Sequence, residues 1–418
     1  MEQHLPRQLL VFIKDISEQA GRHEQRVYLV GGIVRDLLLE DPSPRSGSLG
    51  SGLRFDVDLV VEGDAVRLAQ QVADTGQAKL LAHHRFGTAK LSYGDFTLDM
   101  ATARKETYAR PGALPAVTPG TIKDDLIRRD FSINAMAISL SSHDYGELVD
   151  PYQGKSDLEH HLIRVLRTES FSDDATRILR AVRYEQRLGF ELETQTARAL
   201  KRDTAMLDTI SGDRIRHELE LVFGEEQPEL AIRRLAKLGV LQRISPFLKG
   251  DGWIARRFDK ARRLKKPTQL PSLYFCLFIY ASGEGELGQF LGHLNMPAKL
   301  SHAMRDTLRL KNTLWLLDRS SLKPSEVYYL LQEYDTLAIE ANAIASESSM
   351  VHGYLQLFLT KLRYVRTSLN GEELKRLGIS AGPEMGKVLQ ILHKARLDGE
   401  VSTKADEKKL ALSLSLES

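Results

Sequence analysis

Leu29-Val30-Gly31-Gly32-Ile33-Val34-Arg35-Asp36, followed twenty residues later by Phe55-Asp56-Val57-Asp58, is the stretch on which the fold of this chain turns. The segment leading into it, Arg26-Val27-Tyr28-Leu29-Val30, is β-branched and apolar and predicts a buried strand running into the two glycines. Glycine lacks a Cβ, so the backbone can turn sharply there and bring N–H groups close to an anionic ligand, with Gly32 and Arg35 at the helix that follows. In the second strand, residues two apart point to one face, so Asp56 and Asp58 project together. Carboxylates that close repel each other unless a cation lies between them, and hard oxygen ligands suit Mg²⁺. Phosphate cradle and carboxylate pair together indicate an enzyme that handles nucleoside triphosphates.

Neither piece suffices alone. A Gly-Gly after a strand is commonly an ordinary turn, and Asp-x-Asp is commonly surface charge. The glycines match neither the Walker pattern nor Gly-x-Gly-x-x-Gly. The order strand, glycine turn, helix, carboxylate strand carries the reading, and two further segments extend it: Arg128-Arg129-Asp130-Phe131-Ser132-Ile133-Asn134-Ala135-Met136-Ala137 and Asp173-Asp174-Ala175-Thr176-Arg177-Ile178-Leu179-Arg180-Ala181-Val182-Arg183-Tyr184. The four ordered motifs resemble those of class II tRNA nucleotidyltransferases, in the DNA polymerase beta superfamily, a family that also contains bacterial poly(A) polymerases. The resemblance covers residues 1 to about 225; beyond that it rests on length and helical character.

The resemblance implies an α+β protein, a small mixed-sheet nucleotidyltransferase head followed by helices throughout. The expected divisions are the head at 1–142, a nucleotide-selecting neck at 143–205, an RNA-binding body at 206–300 and a tRNA-binding tail at 301–418. In this scheme Asp56 and Asp58 are catalytic and hold Mg²⁺ in a two-metal mechanism, and Asp99 is the third catalytic carboxylate. Gly31, Gly32 and Arg35 hold the triphosphate, Arg129 contacts phosphate, and Asp130 contacts the ribose 2′-hydroxyl, with Asn134 on the same helical face as Asp130.

Asp174 and Arg177 lie i, i+3 after the good helix start Ser172-Asp173-Asp174, which predicts that they share a helix face. A carboxylate only accepts hydrogen bonds and a guanidinium only donates them. Cytosine sets its 4-amino donor beside the N3 acceptor, and adenine sets its 6-amino donor beside N1, so one such pair can satisfy either edge. Uracil and guanine present a carbonyl where the amino group is needed, and unmatched polar groups in a closed site discriminate by ~10⁴ or more. The pair thus predicts selection of CTP and ATP without a template. The alternative is a simple helix ion pair worth ~0.2–0.5 kcal/mol. Arg180 and Arg183 continue the face and, by resemblance, reach the nucleotide as well.

The bulk properties are permissive. With 418 residues, more than one core is expected. Hydrophobic content of 42% and charged content of 27% fit a soluble globular protein, and a net charge of +2 gives no argument for nucleic acid by itself. Local clusters carry more weight: Arg164, Arg167, Arg177, Arg180, Arg183 and Arg187 in one region, and Arg256, Arg257, Lys260, Arg262, Arg263, Lys265 and Lys266 in another. Of the second cluster, Arg256, Arg257, Arg262, Arg263, Lys265 and Lys266 are expected to meet the RNA backbone. The single cysteine, Cys276, excludes an internal disulfide and lies in an apolar run too short to cross a bilayer. The start of the chain lacks a signal-peptide core, so a cytoplasmic protein is expected, with no membrane contact and no protein partner implied.

Along the chain, 41–52 reads as a turn-rich insertion, 104–120 as a proline- and glycine-broken loop over the site, the stretch after Leu158 as continuous helix, and 400–418 as loosely ordered. By resemblance, enzymes that stop after CC have the 104–120 loop shortened; here it is long, so A addition is expected. The leading reading is template-independent addition of CMP and/or AMP from CTP and ATP to the tRNA 3′ end, as CCA addition or repair, with an A-adding specialist or a poly(A) polymerase as alternatives within the family. Residues 400–418 lack the strong basicity many poly(A) polymerases carry. Outside the family stand a metal-dependent glycosyltransferase, which has no place for Asp174 and Arg177, and a non-catalytic RNA-binding protein.

Overall fold

A computed structural model of the chain describes residues 4–39, 56–76, 78–83, 87–107, 116–263 and 270–416. The insertion expected at 41–52 and the side chain of Asp56 lie outside the described residues. The chain divides into two compact units, Met1–Pro246 and Phe247–Ser418.

The first unit opens with α1 (Arg7–Gly21), β1 (Arg26–Val30) and α2 (Gly32–Leu38). Next come β2 (Asp56–Glu62), α3 (Ala65–Asp74), β3 (Lys79–His83), β4 (Thr88–Tyr93) and β5 (Phe96–Thr102). β6 (Arg104–Thr107), β7 (Ala116–Pro119), α4 (Ile122–Ile127), β8 (Ala137–Ser139) and β9 (Leu148–Val149) follow, β9 carrying the sheet past residue 142, where the head was expected to end. Seven strands form one sheet in the order β3-β4-β5-β2-β1-β8-β9, with β2 parallel to β5 and the other pairs antiparallel. The sheet is mixed, as expected.

Strand alternation decides what each face of β2 carries. Val57, Leu59 and Val61 bury on one side, while Val60, two residues from Asp58, joins Tyr28, Val30, Ala103, Ile122, Leu126 and Ala137 in a cluster beneath α4. The covered part of that face therefore gives way to an open part at Asp58, which is exposed. On α1, Leu9, Phe12, Ile13, Ile16 and Ala20 recur at helical spacing and are buried, and the Phe12 ring stacks on Tyr93 with centroids 4.0 Å apart.

Three expectations for this unit are corrected. Residues 104–120 are not simply a loop: β6 and β7 pair antiparallel from Arg104↔Pro119 to Thr107↔Ala116, with 108–115 outside the described residues. The prolines and glycines rule out a helix but leave an antiparallel ribbon open to the chain, since Pro119 needs to donate no ladder bond at an edge. Asp130 and Asn134 do not lie on an α-helix; α4 ends at Ile127 and only a single 3₁₀ turn, Ser132–Asn134, follows. After Leu158 the chain is not helix alone. α5 (Gly154–Glu159), β10 (Leu162–Ile163), α6 (Ser170–Asp173), α7 (Thr176–Leu188), β11 (Glu191–Leu192) and α8 (Thr194–Asp203) follow, and β10 and β11 pair in parallel. α9 (Gly212–Phe223), α10 (Pro228–Lys237) and α11 (Val240–Ile244) close the unit.

Among its described residues the second unit is helical: α12 (Gly252–Arg262), α13 (Leu270–Phe278), α14 (Glu284–His293), α15 (Ala298–Thr313), α16 (Pro324–Leu331), α17 (Thr336–Ala345), α18 (Ser349–Thr360), α19 (Gly371–Arg376), α20 (Pro383–Leu397) and α21 (Lys404–Leu416). Cys276 is fully buried on α13, and burial pushes its thiol up to about 12. The expectation of a loose terminus fails at α21. Glu407 is fully buried there, accepts hydrogen bonds from the backbone N–H groups of Ser368 and Leu369, and pairs with Arg396 at 2.7 Å. No described helix is long and apolar enough to cross a membrane.

Candidate active site

The glycine turn is shaped by what surrounds it. Gly31 has φ +79° and ψ −143°, a conformation L side chains rarely adopt. A Cβ at Gly31 would lie 3.1 Å from Arg129 Nη1 and 3.3 Å from Asp58 Oδ2. The bare turn therefore sits between a cation and a carboxylate, and a side chain would press on both. Asp58 lies directly opposite Asp99 across the parallel β2–β5 pair, and Lys90 lies opposite Asp99 on the other side, with Nζ 3.2 Å from the Asp99 carboxylate. Asp56 opens β2 opposite Thr97.

Behind the turn, the fully buried Asp125 carboxylate accepts from Arg128 Nη2 at 2.6 Å and from Arg129 Nη2 at 3.1 Å, while Arg128 Nη1 donates to Glu106 at 3.1 Å. These bonds hold two guanidiniums at the end of α4. Asp130 accepts from the Phe131 N–H at 2.9 Å, Asn134 Nδ2 at 3.1 Å, and Arg180 Nε and Nη2 at 3.0 and 2.6 Å. A carboxylate has about four acceptor sites, so this set saturates it. Burial pushes the Asp130 carboxyl up, but the Arg180 charge and the hydrogen bonds outweigh it and hold it below the usual carboxylate range.

Asp174 and Arg177 do not share a helix face. Asp174 is extended (φ −143°, ψ 101°) between α6 and α7, because its Oδ1 accepts from the Thr176 N–H and hydroxyl at 3.0 and 2.7 Å and so ends one helix before the next begins. The two residues are not an ion pair with each other either. Arg214 Nη2, on α9, donates to both Asp174 oxygens at 2.8 Å, and the buried Arg177 donates to Ser170 Oγ at 2.7 Å and to the Arg128 carbonyl at 2.6 Å.

One cavity of about 620 Å³ gathers these groups: Gly31, Gly32, Asp58, Arg129, Asp130, Asp174, Arg177 and Arg180 all line it. Arg35 and Arg183, expected to reach the nucleotide, are not in its lining, and neither is Asp99, expected as the third catalytic carboxylate. Arg35 is buried with its guanidinium on Asp36 and Asn134, and Arg183 is buried beside Glu218 and Glu225. Both guanidiniums instead flank the Tyr184 ring, at 5.5 and 5.1 Å from its centroid. Tyr184 itself lines the cavity, as do Arg128, Thr176, Asp213, Arg214, His217 and Glu218, none of which the sequence reading assigned a role. A signal existed: on α9, Ile215, Leu219, Val222 and Phe223 form the buried stripe, leaving Arg214, His217 and Glu218 as polar positions three and four apart.

Five arginines and five carboxylates line the cavity, so its walls carry no excess of positive charge to neutralise a triphosphate. Hard carboxylate oxygens at Asp58, across from Asp99, fit a divalent cation, and nucleotidyl transfer in enzymes of this type is metal-dependent. Among the described residues, which exclude the Asp56 side chain, no set of three metal-ligating groups is assembled.

The basic run of α12 is largely paired within its own unit. Arg257 meets Glu347 at 3.3 Å and lies over Trp253, Arg262 and Arg263 both meet Asp259, and Arg256 is exposed. Lys265 and Lys266 lie outside the described residues.

Comparison with known proteins agrees with the geometry. Residues 27–164 match the family described as "Poly A polymerase head domain", and residues 189–251 match "Probable RNA and SrmB- binding site of polymerase A". The A-adding tRNA nucleotidyltransferase of Geobacter sulfurreducens is 32% identical over 99% of this chain and 48% of its own length. That of Halalkalibacterium halodurans is 33% identical over 95% of this chain and 90% of its own. The Thermotoga maritima CCA-adding enzyme, solved in complex with tRNA, superposes with a TM-score of 0.76 at 30% identity, covering 99% of this chain and 97% of that one. The chain spans about half the length of the first curated relatives it matches. With the four motifs assembled round one cavity and relatives of this identity aligned along nearly the whole chain, this protein belongs to the tRNA nucleotidyltransferase family.

Proposed function

We propose that this chain transfers a nucleotide from a nucleoside triphosphate to the 3′ end of tRNA, adding AMP to a CC-ending molecule, with the base read by protein groups and no template. One observation carries the reading: Asp174 and Arg177 line the same cavity as Gly31, Gly32 and Asp58, so base-edge groups and triphosphate groups face one substrate. The names of the relatives at 32–33% identity support A addition. Use of CTP as well is the second reading, because the acceptor–donor pair matches both amino-bearing edges.

The site residues divide the work. The Asp174 Oδ2 oxygen, held by Arg214 alone, accepts the base amino group, while N–H donors of Arg177 beyond those used on Ser170 and Arg128 meet the ring nitrogen. Asp130, with its oxygens on Phe131, Asn134 and Arg180, positions Arg180 at the cavity wall. Asp58, with Asp56 two residues before it on β2, would hold Mg²⁺, which when bound neutralises the triphosphate and the leaving pyrophosphate. Asp99, across from Asp58, accepts the proton of the attacking 3′-hydroxyl as its oxygen bonds to the α-phosphorus and pyrophosphate departs. Arg256 and Arg263, the more open cations of the α12 run, meet RNA phosphates in the second unit.

The test is incorporation of labelled ATP, CTP, UTP and GTP into tRNA ending in CC and into tRNA lacking all three terminal nucleotides, with Mg²⁺ and with chelator. One A added to the CC-ending substrate, lost with chelator, is the expected result. Long A tracts would mean poly(A) synthesis, and no incorporation into either RNA would refute the reading.

A further inference from the structure

A second cavity of about 580 Å³ in the first unit has a different electrostatic character from the catalytic one. Four guanidiniums, those of Arg164, Arg167, Arg198 and Arg202, line it against the single carboxylate of Glu193. Three of the four are fixed by carboxylates that are not in the lining: Arg164 by Asp157 at 3.0 Å, Arg167 by Asp173 at 2.8 Å, and Arg202 by Asp203 at 2.6 Å. A guanidinium has five N–H donors in a planar fork, so one edge can bond the carboxylate and leave another edge for a ligand. Their side chains remain 43%, 34% and 54% exposed, so water and a ligand reach them. Arg198 is exposed and, among the described residues, has no ion pair and no side-chain hydrogen bond; the Arg167 Nε is a buried donor with no partner.

We propose that this cavity, between the strand-to-helix connection at 164–168 and α8, is an RNA phosphodiester site separate from the catalytic cavity. The donor set selects the ligand. Asp157, Asp173 and Asp203 offset three of the four charges, so the wall offers the unpaired Arg198, the partnerless Arg167 Nε and the free N–H edges of the other guanidiniums, a set suited to singly charged phosphodiesters more than to a triphosphate. Six of its eleven lining residues, Arg198 and Arg202 among them, lie within the 189–251 segment matched by the RNA-binding family description, Arg164 ends the other matched segment, and 165–168 lies between the two, so the cavity narrows that description to one wall of guanidiniums. The placement also couples the two sites. Arg167 holds Asp173, the last residue of α6, whose first residue Ser170 holds Arg177 in the catalytic cavity. The inference rests on tRNA being the substrate.

The test measures binding of a CC-ending tRNA to the full chain at several salt concentrations. Arg198→Gln/Arg202→Gln is expected to weaken tRNA binding about ten-fold or more at ~100 mM salt and to lower the slope of log K against log salt by about two, with the KM for ATP unchanged. Arg198→Gln alone, which breaks no internal contact, is expected to lower the slope by about one and guards against a folding defect in the double variant. Arg22→Gln/Lys237→Gln, two exposed cations of the same unit outside the cavity, is expected to leave the slope alone. An unchanged slope in the cavity variants, or an equal loss in the control, overturns the proposal. So does stabilisation of the unaltered protein by millimolar pyrophosphate that is absent in the cavity variants while the tRNA slope stays the same, which would make this a free-phosphate site. A slope change in a chain that transfers no nucleotide would leave the site standing and refute only the catalytic reading.

Discussion

Gly31→Ala tests the turn at its tightest point. At φ +79° and ψ −143° a non-glycine residue costs ~1–3 kcal/mol in backbone strain alone. The new Cβ would meet Arg129 Nη1 at 3.1 Å and Asp58 Oδ2 at 3.3 Å, inside the ordinary ~3.5–4.0 Å contact distance. Arg129 is held by the fully buried Asp125, so the strain is shared between that pair and the Asp58 carboxylate. Strain of ~1–3 kcal/mol in the unit Met1–Pro246 lowers its Tm by ~2–12 °C, and displacement of Asp58 by a fraction of an ångström to an ångström lowers kcat/KM by up to ~10². Gly32→Ala is the matched comparison. Its Cβ would lie 3.4 Å from Arg35 Nη2, an ordinary contact, at the first residue of α2, where alanine gains up to ~1 kcal/mol in helix propensity. Gly32→Ala is expected to keep its Tm or raise it and to lose less than ~10-fold in transfer. Thermal unfolding and single-nucleotide incorporation kinetics on both variants separate strain from chemistry. Equal Tm and equal activity for the two, or a destabilised Gly31→Ala with full activity, would refute the crowding argument.

Asp58→Ala is expected to lower transfer by at least ~10³ while tRNA binding persists; near-normal transfer would remove Asp58 from the metal site. Arg214→Ala breaks a partly exposed pair and should cost less than ~1 kcal/mol of stability, yet it frees Asp174, so UTP and GTP incorporation should rise relative to ATP; an unchanged ratio in competition assays would mean Asp174 does not read the base. Asp130→Asn should destabilise by up to about 3 kcal/mol, because the half-buried Arg180 loses its carboxylate partner while Glu218 remains nearby. The Asp130 carboxyl is held below its ordinary 3.8 in the folded state, so its contribution is complete above that value and lost as pH falls through the lower folded value. Chemical denaturation of Asp130→Asn should therefore show a flatter stability curve below about pH 4 than the unaltered chain, and parallel curves would argue against the ion pair. Glu407→Gln weakens charged hydrogen bonds to Ser368 and Leu369, worth about 2–3 kcal/mol, so amides of α21 should exchange about 30- to 160-fold faster; unaltered exchange would mean other contacts hold the helix.

Local sequence was enough for the elements whose pattern is their own cause. The apolar run 26–30, the glycines at 31 and 32 and the Asp-x-Asp at 56–58 define a strand, a turn and a strand because period-two alternation and a missing Cβ act within a few residues. The same local chemistry pointed to Asp174 and Arg177 as cavity residues but misjudged how they are held. Their partners lie 40 and 49 residues away, at Arg214 and at the Arg128 carbonyl, and no spacing rule reaches that far. Arg35 and Arg183 illustrate the same limit: a basic residue beside a phosphate motif looks like a ligand, but packing of Asn134, Tyr184 and Glu218 against them turns both guanidiniums inward. The terminal helix looked loose because its own residues are polar and weakly amphipathic, and it is ordered because the buried Glu407 completes hydrogen bonds at Ser368 and Leu369. Sequence thus determined which groups this chain could bring to a triphosphate, while the tertiary structure decided which of them face the cavity, since a side chain's direction depends on whichever distant partner satisfies its charge.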